Sequence, residues 1–511
     1  ADQKQQAQAS LWSGSTYPPL PMAAKRRIVR GRTSKAKTVA RLAARPGTKT
    51  KAKVVAKSVG SRQCRMVAGF PVAAPEAEGV CPKVLGQIRS ATRLEVRKLG
   101  SCAGVTHLML RNGRCVFSCS DGWANKKQGT KFGPSTICRL HGATKALVCA
   151  AFMTLVEQGK VKLDDPVAKY MAFSERVAVG KGKSTRPVRV RPTVRHLLTM
   201  TAGLRYTDCP AYKSAMAGVR NGRISNLGAF CDALAKAPLQ SEPGAWYEYS
   251  FCSDVVGRLC EVVSGMSLES FVRKSILDPL GMKDTHFVLP AGKRNRVAAL
   301  YNCEEVPSAK RGRGAEGLRY QPIEWDHPES SPGITSSGGG ILSYKDHGMW
   351  GTARDYAHFC QMLLDGGLAP GTGRRVLKAS TVRACWTDGL EALADRRGRV
   401  TNWNVDDTDG PPWEGGSWDR CGWSPLSTLL QLSGPLRPGG KKAAARRGHA
   451  MGVGGGGGVY WLVDARRRVV AMSFQQSFEG AREEDDGLGP PGNDCVDMAL
   501  KAVDEGRKKT R

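Results

Sequence analysis

An apolar run at residues 146–156 limits the fold more than any other part of the sequence. It reads ALVCAAFMTLV, with Thr154 as its only polar residue, and it is followed by Glu157, Gln158 and Gly159. A helix that is apolar on every face must be buried on all sides, and a glycine just past the last turn commonly ends a helix. The sequence therefore predicts a central core helix within residues 139–167, with Lys145 at its N-terminal end.

The tetrad that opens this helix, Gly142-Ala143-Thr144-Lys145, carries a family resemblance. It resembles the Ser-x-x-Lys motif of the serine β-lactamase and penicillin-binding-protein superfamily, most closely the class C β-lactamase-related hydrolases and esterases. Residues three apart share a helix face, so in that family the lysine helps the serine hydroxyl lose its proton. Here Lys145 is retained, while Gly142 stands at the nucleophile position.

The resemblance implies two further parts of a pocket. Tyr249 aligns with the tyrosine of the Tyr-x-Asn motif, which stands opposite the nucleophile and exchanges its proton, although Phe251 replaces the asparagine. A neighbouring cation such as Lys145 would be needed for the phenol to act as a base near neutral pH. The alternative is a buried tyrosine that makes one structural hydrogen bond to the lysine.

The third motif of the family lies on a strand edge beside the nucleophile. Val453-Gly454-Gly455, within a run of six glycines in seven positions at residues 452–458, takes its place. Glycine allows backbone N–H groups to approach a ligand, so the resemblance implies an oxyanion hole formed by the N–H groups of Gly142 and of a residue near Gly456. A flexible glycine loop is the open alternative.

Two β-hairpins are predicted at the ends of the domain. Residues 105–110 and 115–119 flank an Asn-Gly turn, and residues 459–464 and 469–474 form a second pair of strands. A helix is expected near residues 494–503. The resemblance implies an α+β, β-lactamase/transpeptidase-like fold, in which both hairpins contribute to one central antiparallel sheet flanked by helices. A mostly helical region is inserted between them.

Several segments between the hairpins resemble the same family in the same order. They are residues 195–204 (RHLLTMTAGL), 257–265, 271–282 (FVRKSILDPLGM), 337–342 and 351–356 (GTARDY), with extra residues at 343–350. The resemblance spans residues 85–505, which we assign to one domain. His196 is interpreted as a packed or hydrogen-bonded histidine, and His449 as a loop histidine.

No other residue is an evident replacement nucleophile. Thr144 lies about 200° round the helix from Gly142, which points it away from the pocket. His141 lacks an evident activating carboxylate, and Ser250 should point opposite to Tyr249 in an extended segment. The Gly-x-Ser-x-Gly sequence of α/β-hydrolases does not occur.

Positive charge is concentrated at the N-terminal end. The chain carries a formal net charge of +33, and residues 1–75 contain sixteen Lys and Arg against Asp2 alone. We predict a disordered basic segment over residues 1–75 and a basic tail at 506–511. The composition of this segment fits an organelle transit peptide, a nuclear localisation signal, a protein- or nucleic-acid-binding arm, or a disordered tail without a targeting function. Its Ser34-Lys35-Ala36-Lys37 tetrad precedes no apolar helix and is interpreted as chance.

The remaining composition argues against metals and membrane spans. The sixteen cysteines are scattered without a Cys-x-x-Cys pair, and His-Glu-x-x-His and the P-loop pattern are absent. No apolar run approaches 18 residues, so no transmembrane segment is predicted. We expect buried cysteines, no metal or cofactor, and a reducing compartment: mitochondrion, plastid or cytoplasm.

Three functional hypotheses follow. The first is a pseudoenzyme that keeps a pocket for a small-molecule, ester or peptide ligand but has lost its nucleophile at Gly142. The second is an active hydrolase forming an acyl-enzyme, either because the glycine is a sequence variant or because another group attacks. The third is a basic scaffold subunit of an organellar or ribonucleoprotein assembly.

Overall fold

The computed structural model describes residues 65–179, 184–205, 210–306, 320–324, 348–390, 393, 421–432, 447–479 and 491–509. Most of the predicted basic segment, the glycine run at 337–342 and most of the extra residues at 343–350 lie outside these ranges. No helix in the described part of the chain is long and apolar enough to span a membrane.

An antiparallel sheet of eight strands forms the centre of the fold, as predicted. Its spatial order is Cys421–Ser424, Thr428–Leu432, Gly448–Gly455, Val459–Asp464, Val469–Gln475, Gly104–Arg111, Arg114–Asn125 and Thr130–Lys131. The two predicted hairpins meet in the middle, where Val469 lies opposite Arg111 and Gln475 opposite Val105. Residues distant in the chain are thereby joined into one sheet.

Successive side chains of each strand point to opposite faces of the sheet, and both faces are covered by a hydrophobic core. Leu108 and Leu110 point into the large core shared with the inserted helices, whereas Met109 points into a second core. That second core lies under the helices Pro82–Leu94 and Pro491–Lys509, which pack against each other.

The apolar run forms the predicted core helix, which we call the site helix. It spans Thr144–Glu157, and every residue from Thr144 to Leu155 is buried. It packs against the helix Cys252–Ser264. A helix with apolar residues on every face suits this position because its buried part does not meet water on any side.

The remaining elements surround this centre. The other α-helices are Val194–Leu198, Pro210–Arg220, Leu227–Ala235, Leu268–Val272, Asp278–Leu280, Ala353–Leu364 and Ala379–Cys385, with π-helical turns at Glu95–Leu99 and Arg273–Leu277 and 3₁₀ turns at Glu76–Glu78, His141–Ala143, Val167–Lys169 and Ala291–Arg296. Short strands lie at Met66–Val67, Phe70–Pro71, Cys138–Arg139, Arg176–Val179, Ser184–Pro187, Tyr301–Glu305, Tyr320–Glu324, Trp350–Gly351 and Ser477–Glu479.

The fold extends further at both ends than the sequence predicts. Residues 65–75 belong to it, because Phe70 is buried and the strands Met66–Val67 and Phe70–Pro71 pair with each other. The last helix runs to Lys509, so residues 506–509 are helical rather than a separate tail. It is held there by close packing: Cys81 N donates to Ala502 O at 2.9 Å, and a Cβ at Gly506 would lie 2.2 Å from Gly79 O.

All fourteen cysteines of the described part are buried. This confirms the prediction that they act as small apolar residues. Burial raises the pKa of the Cys252 thiol to about 12, so this thiol stays protonated and unreactive.

Candidate functional site

Three parts of the chain that are distant in sequence converge on Gly142. This residue lies in the buried 3₁₀ turn His141–Ala143, immediately before the site helix. An ideal Cβ at Gly142 would lie 3.0 Å from Lys145 Nζ, 3.2 Å from the Tyr249 hydroxyl and 3.1 Å from Gly454 O. We call the space that a side chain would fill here the Gly142 slot. The structure thus brings together residues from all three predicted motifs.

Lys145 reaches the slot from within the protein. Its side chain is fully buried, and Nζ lies 4.5 Å from the centroid of the Tyr249 ring. The residue is placed by helix geometry, because the first turn of the site helix returns position 145 to the side of Gly142. The predicted lysine–tyrosine pair is therefore present as a direct contact.

Tyr249 is held against an aromatic neighbour that sequence reasoning missed. Its ring meets the edge of Trp423 with centroids 6.3 Å apart, and Tyr247 packs on the same indole at 4.9 Å. Trp423 is itself fixed through its backbone N–H, which donates to Asp388 Oδ1 at 3.0 Å. These contacts link segments about 175 residues apart, and no local motif marks them.

The glycine run forms an ordered strand edge beside the slot. Gly448–Gly455 is paired along Val459–Asp464, with Gly452 opposite Leu462 and Gly455 opposite Val459. A Cβ at Gly455 would lie 2.5 Å from Leu140 O and 3.5 Å from Gly142 N. Only glycine permits this approach of strand to turn, so the alternative of a flexible loop does not hold for the strand.

The predicted binding residues of this run have different positions. Gly454 borders the slot through its carbonyl, and Gly455 contacts the turn that carries Gly142. Val453 lies opposite Trp461 in the ladder, and its side chain is outside the described part of the structure. Gly456 lies in the turn that follows the strand, between Gly455 and Val459.

The turn at Gly142 is fixed on its far side by hydrogen bonds. The Tyr356 hydroxyl donates to Ala143 O at 2.9 Å, and Met349 N donates to Thr144 Oγ1 at 2.9 Å. Thr144 therefore faces away from the slot, as predicted. Tyr356 belongs to the TARDY segment, whose sequence does not reveal this bond.

A glutamine side chain clamps the strand that leads into the turn. Arg139 N donates to Gln476 Oε1 at 2.8 Å, and Gln476 Nε2 donates to Arg139 O at 3.3 Å. The chain then passes through His141, whose φ of 42° is uncommon for a residue other than glycine. The tight turn before Gly142 is thus imposed by tertiary contacts.

The other candidate side chains do not enter the slot. Ser250 is buried, and its hydroxyl lies 3.2 Å from Cys252 Sγ and 3.9 Å from Met200 Sδ. His196 accepts from Thr193 N at 3.2 Å in a helix capping box, and burial lowers its pKa. Its predicted structural role is confirmed. The prediction of His449 as a loop histidine is wrong, because it lies in the strand Gly448–Gly455, where it is half-buried and burial lowers its pKa.

A metal-dependent site finds no support in the described residues. They contain no group of three or more His, Cys, Asp or Glu side chains placed to hold a metal ion. The groups around the slot are the Lys145 amine, the Tyr249 phenol and the backbone of the glycine strand. Such groups can bind and polarise a carbonyl group.

Comparison with known proteins identifies the family. The Beta-lactamase family model matches residues 92–488. Esterase EstB of Burkholderia gladioli is 29% identical over 396 residues, which cover 74% of this chain and 87% of EstB. Monacolin J acid methylbutanoyltransferase of Aspergillus terreus is 32% identical over 162 residues, or 30% of this chain and 38% of that enzyme.

Solved structures show the same fold. Unliganded simvastatin synthase of Aspergillus terreus superimposes with a TM-score of 0.57 at 19% identity, covering 83% of this chain and 99% of that protein. EstCE1, described as a hydrolase with promiscuous acyltransferase activity, gives a TM-score of 0.56 at 19% identity, covering 82% and 98%. With the family model matching more than three quarters of its length, this chain belongs to the Beta-lactamase family of serine-hydrolase fold.

Proposed function

We propose that this protein is a pseudoenzyme of its family, one that binds an acyl ligand in the retained pocket and forms no acyl-enzyme. The observation that carries the proposal is the Gly142 slot. Lys145, Tyr249 and the glycine strand surround the position of the nucleophile, and glycine supplies no side-chain oxygen there.

The neighbouring hydroxyls do not replace the missing nucleophile. Thr144 Oγ1 accepts a hydrogen bond from Met349 N, and Ser250 Oγ contacts the sulfur atoms of Cys252 and Met200. Loss of a nucleophile generally lowers the rate by several powers of ten and leaves binding and oxyanion contributions in place. Binding is thus the property that this architecture preserves.

The ligand we propose is an ester, an amide or a peptide. Two relatives are named as an esterase and a methylbutanoyltransferase, and both names denote work on acyl groups. The slot supports the same class of ligand. The Lys145 amine, the Tyr249 hydroxyl and the backbone near Gly142 and Gly455 lie around the position of a Gly142 side chain.

Restoring the nucleophile tests the proposal. Gly142→Ser should give turnover of p-nitrophenyl esters through an acyl-enzyme, visible as a burst, because Gly142 lacks a left-handed φ and its three nearest atoms, Lys145 Nζ, Tyr249 Oη and Gly454 O, would each need to shift by only a few tenths of an ångström. Tyr249→Phe in the same background should remove the turnover. A folded but inert Gly142→Ser protein would contradict an intact pocket and favour a scaffold role.

We also propose that the basic N-terminal segment is either an organelle-targeting signal or a segment that binds a protein or nucleic acid. Its sixteen basic residues against one acidic residue support this role. Removing residues 1–64, which precede the described fold, should change localisation if the segment is an organelle address. If it binds nucleic acid, affinity should fall steeply with salt. Unchanged localisation and salt-independent binding would reject both.

A further inference from the structure

Three stretches of the chain that are distant in sequence share one region of the surface. They are residues 123–137, 282–297 and 352–356. Two contacts join them: Arg296 Nη2 donates a hydrogen bond to Ser135 O at 2.7 Å, and Arg354 N donates to Pro134 O at 3.0 Å. The charges that these stretches carry therefore act together.

This region is strongly basic. The three stretches contain only two acids, Asp284 and Asp355. Asp284 forms ion pairs with Lys293 at 3.0 Å and with Arg296 at 2.8 Å, and Asp355 is buried. Six exposed cations of the stretches form no ion pair within the described residues, and we call them the basic face: Lys126, Lys127, Lys131, Lys283, Arg294 and Arg354. Such a surface attracts an anionic partner.

An exposed apolar loop lies beside these cations. Val288 is 73% exposed, more than any other large apolar side chain in the described part of the chain. Its loop, residues 288–292, reads Val-Leu-Pro-Ala-Gly and lies between Lys283 and Arg294 in the sequence. Lys293 Nζ donates a hydrogen bond to Lys283 O, which joins the two sides of the loop. The loop therefore presents apolar atoms flanked by positive charge.

The two features together favour a membrane surface over a nucleic acid. A nucleic acid offers phosphates but no apolar layer that could bury a valine side chain. Lys131 Nζ lies 3.2 Å from the centroid of the Trp123 ring, so this face of the ring already holds a cation and is not open to a nucleic-acid base. An anionic bilayer offers phosphates at its surface and an apolar boundary just beneath them.

We propose that the basic face binds the surface of a membrane that contains anionic lipid, with Val288 inserted at the boundary between headgroups and acyl chains. Stable attachment to a bilayer generally needs two signals, and here these are the six cations and the apolar loop. The binding is reversible and weakens as salt screens the charges. It does not depend on whether the Gly142 pocket binds an acyl ligand.

Removal of charge from the basic face is the first test. The full chain is mixed with phosphatidylcholine vesicles that contain phosphatidylserine, and the bound fraction is measured by sedimentation. Lys127→Gln combined with Arg294→Gln should lower the partition coefficient by about 25-fold, because each cation near an anionic surface contributes a factor of about five. Neither side chain forms a hydrogen bond or an ion pair within the described residues, so the fold should be kept.

The control removes the same charge from a distant surface. Lys160→Gln combined with Lys162→Gln changes two exposed lysines beyond the C-terminal end of the site helix, at the end opposite to Gly142. Both double variants keep the basic N-terminal segment, so any vesicle binding by that segment is the same in each. The control should bind nearly as well as the wild type. An equal loss in both double variants, or no binding of the wild type to these vesicles, would overturn the inference.

The apolar contact is tested by changing only the size of a side chain. Val288→Leu should raise the vesicle partition coefficient by up to about 4-fold, the usual factor for one further buried CH₂ group. Val190 is 50% exposed and lies outside the basic face, so Val190→Leu should have no effect. Equal partition coefficients for Val288→Leu, Val190→Leu and the wild type would contradict insertion of the loop.

An oligonucleotide separates a membrane surface from a site for any polyphosphate. The affinity of the same proteins for single-stranded DNA is measured by fluorescence anisotropy, and Val288→Leu should leave it unchanged. If the Lys127→Gln, Arg294→Gln protein loses as much affinity for DNA as for vesicles, and Val288→Leu alters neither, the face recognises nucleic acid. That result would overturn the membrane assignment.

Discussion

A histidine buried in the sheet should make the stability of the fold depend on pH. His107 lies on the strand Gly104–Arg111, opposite Ser473 and Cys119 on the two neighbouring strands. It is 3% exposed, and neither ring nitrogen has a hydrogen-bond partner among the described residues. Burial lowers the pKa of His107 from 6.5 to about 4, because the charged imidazolium cannot be solvated there.

The sign and size of the effect follow from proton linkage. Above pH 6.5 the histidine is neutral in both states and has no effect. Below pH 6.5 His107 binds a proton in the unfolded chain but stays neutral in the native protein. The free energy of unfolding therefore falls as the pH decreases towards 4. A difference of 2.5 between the two pKa values corresponds to about 3 kcal/mol in full, and to about 2 kcal/mol at pH 5.

His107→Leu isolates this contribution. The free energy of unfolding of wild type and variant is measured by urea denaturation at pH 7.5 and pH 5. Other titrating groups cancel in the double difference, so the wild type should lose about 2 kcal/mol more than the variant between the two pH values. Leucine also removes two unpartnered nitrogens, so the variant should be folded at pH 7.5.

Two results would refute this reasoning. One is an equal loss of stability in both proteins between pH 7.5 and pH 5. The other is an NMR titration that gives His107 an ordinary pKa near 6.5 in the native state.

The contacts that shape the slot give two further predictions. Gly455→Ala should lower the melting temperature, because its Cβ would lie 2.5 Å from Leu140 O. Combined with Gly142→Ser, it should also abolish the regained turnover. Unchanged melting temperature and turnover would contradict the close approach. Tyr356→Phe should lower the free energy of unfolding by about 1 kcal/mol, because the buried Ala143 O loses the hydrogen bond from the Tyr356 hydroxyl. Urea denaturation measures this, and an unchanged free energy of unfolding would contradict it.

The parts of the fold that were predictable from sequence have local causes. The site helix is apolar at nearly every position, and the first hairpin carries an Asn-Gly turn, with Asn112 and Gly113 both at positive φ as this turn requires. Lys145 could be placed beside Gly142 because helix geometry relates them. Tyr249 and Gly454 could be placed there only through the family resemblance.

The remaining parts depend on contacts between distant segments. The Trp423 ring packs against Tyr249, and the Gln476 side chain forms a hydrogen bond with the backbone of Arg139, 337 positions away in the chain. Neither Trp423 nor Gln476 lies in a motif. The glycine run could not be distinguished from a loop by sequence, because its order comes from pairing with Val459–Asp464. The buried ends likewise owe their order to tertiary packing: Phe70 belongs to the large core, and Val503 belongs to the second core, where its helix packs against Pro82–Leu94.

The central claim is that the pocket is intact and lacks only its nucleophile. Intact-protein mass spectrometry after incubation with a fluorophosphonate tests it most directly, on wild type and Gly142→Ser side by side. We expect no adduct on the wild type and one phosphonyl group on Gly142→Ser, mapped to position 142. Stoichiometric labelling of any pocket residue in the wild type would contradict the claim.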